Sequence, residues 1–142
     1  MSFKISAADT KIITPLKAGG TTKYRKRGLY MFVFHDSPFF ETPCEPGVTR
    51  KVMAYNDDVM MCEIHFETGA KGNPHSHPHV QCTYVLKGRF SFTIADETKE
   101  VSAGDTLLMP SGVLHCCECL EEGMLCDVFT PMRKDFIEKK PE

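Results

Sequence analysis

The chain has 142 residues, enough for one domain with a real hydrophobic core and too few for two of ordinary size. With 42% hydrophobic and 25% charged residues and a formal net charge of −2, neither wholesale disorder nor an electrostatic role on nucleic acid or an anionic membrane is expected. No run approaches the ~20 apolar residues of a membrane-spanning helix, and the charged N-terminal stretch lacks the apolar centre of a secretory signal, so a cytoplasmic protein is expected.

Residues 1–27 alternate poorly and contain Gly19-Gly20, which predicts an extended arm. Its basic cluster, Lys23 to Arg27, reads as a solvated turn or strand edge. Gly28 to Phe34 is a dense run of aromatic and β-branched residues, and predicts a strand. Pro38, Pro43 and Pro46 make 35–47 a long loop, so residues 1–45 form an arm with one strand. From 46 to 142 the pattern is short strands with turn signals at regular spacing, the mark of a sandwich or barrel. Strands are predicted near 50–55, 59–67, 80–86, 89–95, 98–102, 106–109, 113–120 and 123–130. Over 89–95, Phe90, Phe92 and Ile94 share one face. A short helix of one or two turns is predicted from Met132 to Lys139.

Seven cysteines cannot all pair within the chain, and in a reducing compartment they read as free thiols acting as small buried hydrophobes. Cys117 and Cys119 share the face of His115, where thiolate ligation of a metal competes with simple filling of a barrel interior. The second reading is the one adopted.

Chemistry concentrates in Asn73-Pro74-His75-Ser76-His77-Pro78-His79 and the nearby Gln81. Side chains two apart in an extended segment point the same way, so His75 and His77 can share one small ion. Gln81 joins them if the chain stays extended. His115, just after the turn Pro110-Ser111-Gly112, is placed to be the fourth ligand. Imidazoles with an amide oxygen suit one divalent ion of zinc, nickel, manganese or iron. The ordinary alternative is a His-rich surface loop. His79 has the same parity and is a competing ligand, but Pro78 can turn it aside, which leaves it as a support behind the ligands or a substrate contact.

The surrounding spacing resembles the paired signature of the cupin superfamily. One half runs Gly69-x5-His75-x-His77-x3-Gln81-x6-Gly88, and the other Gly104-x5-Pro110-x-Gly112-x2-His115. The resemblance implies an all-β double-stranded β-helix, a jelly-roll barrel, with the metal on His75, His77, Gln81 and His115. Gln81 stands where that family more often has glutamate. A neutral ligand set leaves the ion its full charge, favouring Lewis-acid work over dioxygen chemistry.

A second cluster follows: Asp127 and Phe129 share a strand face, and Pro131 ends the strand so that Arg133 can turn back over a barrel mouth. An acid, an aromatic wall and a guanidinium make a site for a small carboxylated substrate, against the plain alternative of a surface Asp–Arg pair. Together, His-Ser-His-Pro-His-x-Gln, Tyr-Val-Leu-x-Gly and Asp-Val-Phe-x-Pro-x-Arg-x-Asp-Phe resemble the KdgF-type cupins of pectin and alginate breakdown over residues 46–137. That resemblance implies a metal-dependent isomerase opening 4,5-unsaturated monouronates to 5-keto-4-deoxyuronate. Asp127 would transfer the proton, Arg133 hold the carboxylate and Phe129 form an apolar wall. The alternatives are a dioxygenase on the same scaffold or a non-catalytic sugar-binding module. Small cupins often pair through an extended edge, so a homodimer involving residues 1–34 is expected.

Overall fold

The computed structural model describes residues 32–36 and 41–138, and the arm expected over 1–27 lies outside them. Of the strand expected over 28–34, residues 32–34 have no regular structure and 28–31 lie outside the described residues. The chain divides into two compact units, Met1–Ser37 and Pro38–Glu142, and the second carries the barrel. Its strands are β1 (Glu41–Pro43), β2 (Val48–Tyr55), β3 (Met60–Phe66), β4 (Lys71–His75), β5 (Val80–Ile94), β6 (Glu97–Ser102), β7 (Thr106–Met109) and β8 (His115–Thr130). No helix among the described residues is long and apolar enough to cross a membrane.

Alternation drives these elements. In β3, Met60, Cys62, Ile64 and Phe66 are buried while the residues between them are not, the period of a half-buried strand. Among the described residues, all strands join one antiparallel sheet in the order β1-β2-β3-β8-β5-β6, with β4 on β8 and β7 on β5. β5 and β8 run side by side from Val80↔Thr130 to Ile94↔His115. Their outer partners change along the way: β3 and β7 flank one half, β4 and β6 the other. A sheet that changes partners in this way rolls up on itself, which is the expected jelly-roll barrel.

The four strands expected over 80–95 and 113–130 are therefore two long ones, each bent in the middle. Gly88 has φ +83°, and a Cβ there would lie 2.5 Å from the carbonyl oxygens of Glu121 and Glu122. A Cβ on Gly123 would lie 3.0 Å from the Gly88 Cα, so the two glycines let the bends nest back to back. The register of β5 shifts here. Consequently Gln81, Thr83 and Val85 face inward before the bend, and Phe90 and Phe92 after it.

Two short strands were absent from the sequence expectations. β1 lies in the predicted loop yet pairs with β2. β4, Lys71-Gly72-Asn73-Pro74-His75, has poor strand propensity and forms by pairing with β8, its register irregular between Gly72 and His75. The predicted C-terminal helix is corrected to a single 3-10 turn, Lys134–Phe136. Phe136 packs at 90° on Phe129, so anchoring to the barrel, not helical periodicity, organises this segment.

The core holds Val52, Met60, Cys62, Val85, Phe90 and Met109, all fully buried. All seven cysteines are free. Burial pushes the thiols of Cys62 and Cys117 up to about 12, which keeps them neutral and suits the packing role. Between the two halves of the roll, a cavity of about 910 Å³ remains open.

Candidate metal centre

β4 and β8 bring His75 opposite His115 in register, with ring centroids 4.3 Å apart. His77, two residues beyond the end of β4, is buried with its ring 5.1 Å from that of His115. Ligand atoms of these three histidines all lie within 4.8 Å of one another. The chain bends at Pro78 and His79, so it does not stay extended to Gln81. Gln81 arrives instead on β5, where it faces inward opposite Phe129.

Each imidazole is held by the chain itself. The Nδ1–H of His75 donates to the Asn73 carbonyl at 2.7 Å, that of His77 to the His79 carbonyl at 3.0 Å, and that of His115 to the Val113 carbonyl at 3.0 Å. A carbonyl only accepts, so each ring carries its proton on Nδ1 and presents an Nε2 lone pair. Burial lowers the proton affinity of His77 and His115, which favours the neutral form of those rings. The His115 Nε2 is buried with no hydrogen-bond partner. The His77 Nε2 lies 3.0 Å from the Gln81 Oε1, two acceptors facing one another with no proton between them. Convergent lone pairs of this kind fit ligands of one divalent cation, and backbone carbonyls on the distal nitrogens are the usual support for such ligands.

Behind the ligand set runs a chain of hydrogen bonds. Gln81 Nε2 donates to Thr83 Oγ1 at 3.1 Å, and that hydroxyl donates to Asp127 Oδ1 at 2.6 Å. Burial raises the Asp127 carboxyl from 3.8 to about 6, against the lowering effect of Thr83, Gln81, His75 and Arg133. A carboxyl so placed exchanges a proton near neutrality. Phe129 packs edge-on against His77, 5.6 Å between centroids.

After the cis peptide Thr130–Pro131, Arg133 turns onto the cavity wall, where its side chain is 14% exposed. Its Nε and Nη2 donate to Asp135 at 3.0 and 2.8 Å. The structure thus brings His75, His77, Gln81, His115, Asp127 and Phe129 into one neighbourhood, with Arg133 on the same cavity. His79 packs 5.6 Å from His77 on centroids and stands outside the mutually close group of three. Two residues were not singled out in the sequence. Thr83 shares the inward parity of Gln81, and Arg50 interrupts the apolar face of Val48 and Val52. A polar residue at inward parity was the available signal in both cases.

A rolled antiparallel sheet with a histidine cluster at its centre is a cupin architecture. Residues 62–129 match the family model described as "Cupin domain". The chain is 40% identical over 102 residues to the pectin degradation protein KdgF of Dickeya dadantii, covering 68% of this chain and 93% of that protein. The chain belongs to the cupin superfamily. Among solved structures, KdgF from Halomonas sp. is 34% identical with a TM-score of 0.68, covering 73% of this chain and 94% of that one. An RmlC-like cupin from Shewanella frigidimarina is 33% identical with a TM-score of 0.70, over 74% and 94% of the two chains.

Proposed function

We propose that this protein is a metal-dependent isomerase that opens the ring of 4,5-unsaturated monouronates, giving the linear 5-keto-4-deoxyuronate. One observation carries the reading: a buried, readily protonated acid, Asp127, sits one hydroxyl away from a histidine-rich ligand set in an open cavity. The likeness to a protein named for pectin degradation supports the substrate class. His75, His77, Gln81 and His115 would hold one divalent ion, whose Lewis acidity stabilises negative charge developing on oxygen.

The substrate is a cyclic hemiacetal whose C4–C5 double bond is conjugated to its carboxylate. Opening removes the proton from the C1 hydroxyl, forms the C1 aldehyde and breaks the bond from C1 to the ring oxygen. The electron pair passes to that oxygen as an enolate, and protonation at C4 completes the ketone. No proton is gained or lost overall, so one acid–base group suffices. Asp127 takes the C1 hydroxyl proton and is the group able to return it. Thr83 holds one oxygen of that carboxylate and so orients the group, and Phe129 excludes water from one side. Arg133, braced by Asp135, adds positive charge to the wall that receives the carboxylate.

The test is the ultraviolet absorbance of an unsaturated galacturonate monomer, which ring opening abolishes. Loss faster than the spontaneous rate, stopped by a chelator and restored by divalent metal, is the expected result. No acceleration by fully metallated protein would overturn the proposal.

A further inference from the structure

β2 carries an arginine where its pattern calls for an apolar residue. Val48 and Val52, which share the inward parity of Arg50, are 4% and 0% exposed. Arg50 lines the same cavity as His75, Gln81, His115 and Asp127. Its guanidinium carbon lies 3.5 Å from the centroid of the Phe136 ring, which also carries Arg133 at 4.2 Å. The aromatic ring thus gathers two guanidinium groups on one wall of the cavity.

The two arginines differ in what they already hold. Arg133 has two nitrogens committed to the Asp135 carboxylate, a filled fork. Arg50 makes no ion pair among the described residues, and its Nε is buried with no hydrogen-bond partner. A buried unpaired donor on a cation is costly, and a carboxylate is the partner whose geometry matches a guanidinium.

We infer that Arg50, not Arg133 alone, is the anchor for the carboxylate of the sugar acid, with Arg133 and Asp135 forming the fixed frame beside it. This rests on the reading of the cavity as a uronate site. It makes the cavity selective for acidic over neutral sugars of the same size, because without a carboxylate the Arg50 guanidinium has no ionic partner there.

The experiment compares binding of saturated galacturonate and of neutral galactose to the metal-loaded protein, by ligand-observed nuclear magnetic resonance. Arg50→Met and Arg50→Lys are measured beside the wild type, with metal content and melting temperature recorded. The wild type should prefer galacturonate, and Arg50→Met should lose that preference by about tenfold or more with galactose binding unchanged. Arg50→Lys, which keeps the charge but not the fork, should fall between. A variant with full metal content that retains the wild-type preference would overturn the inference, as would a wild type with none. Because neither ligand is turned over, the outcome is separate from that of the ring-opening assay. Selective binding without catalysis would leave Arg50 as the anchor and remove the isomerase. Ring opening at the wild-type kcat and KM in Arg50→Met would do the reverse.

Discussion

Thr83 and Asp127 occupy paired positions on β5 and β8, and the Thr83 hydroxyl donates to the Asp127 carboxylate at 2.6 Å while accepting from Gln81 at 3.1 Å. One hydroxyl therefore links the candidate metal ligand to the candidate acid–base group. It has a single proton to give, so the direction of the relay depends on Gln81 being an amide.

Replacing that amide is informative. Gln81→Glu supplies a carboxylate oxygen that is a good metal ligand, so metal content should be retained. The Thr83 hydroxyl would then face two carboxylates with one proton, and Asp127 would lose support for its charged form. Turnover should fall by about tenfold or more, and the acidic limb of the pH–rate profile should move to higher pH. An unshifted limb in a fully metallated variant would show that the relay does not act on Asp127.

Asp127→Asn should keep the metal and reduce turnover by ~10²-fold or more. The same variant tests the burial of the charge. In the metal-free fold the Asp127 carboxyl binds its proton more tightly than in the unfolded chain, at about 6 against 3.8. Its contribution to stability is therefore complete below 3.8 and is lost as pH rises through about 6. The neutral amide has no such loss. Metal-free Asp127→Asn should gain about 1–3 kcal/mol relative to metal-free wild type between mildly acidic and mildly alkaline pH, measured by urea unfolding. Equal pH dependence in the two proteins would mean that Asp127 is not held protonated by burial.

Metal content separates the histidines. His115→Ala removes a buried Nε2 that has no protein partner, and should weaken metal binding by at least ~100-fold in a competition assay against a chelator. His79→Ala removes a ring outside the mutually close group and should leave stoichiometry unchanged. Loss of metal from His79→Ala would add His79 to the ligand set.

The nested bends predict a stability effect remote from the chemistry. A Cβ at position 123 would lie 2.9 Å from the Phe90 ring and 3.0 Å from the Gly88 Cα. Gly123→Ala should cost about 2 kcal/mol or more, read as a lower urea midpoint. Gly69→Ala meets nothing within 4 Å and bears only the strain of φ +84°, so its cost should be smaller. Equal costs would place the effect in backbone strain and not in the close approach.

Period-two alternation, turn glycines and the His-x-His pair are local features, legible along the chain without a partner segment. They were enough for the all-β roll, the inward face of Phe90 and Phe92, and the burial of His115 and Cys119 on one face of β8. What joins distant segments becomes visible once the strands have paired. Strand propensity does not reveal that 80–94 and 115–130 are two continuous strands, because their bends at Gly88 and Gly123 look like chain turns until the two glycines meet. It does not reveal β4 either, since Gly72 and Pro74 argue against a strand that exists only by pairing with β8. That pairing sets His75 opposite His115, and the pairing of β5 with β8 sets Thr83 opposite Asp127. Arg50 was readable as a charge on an apolar face, but only the closed roll shows that this face lines a cavity. Periodicity reports which way a side chain points within its own segment. Register between segments is a property of long-range pairing, and a shift of one residue would send every one of these groups to the other face.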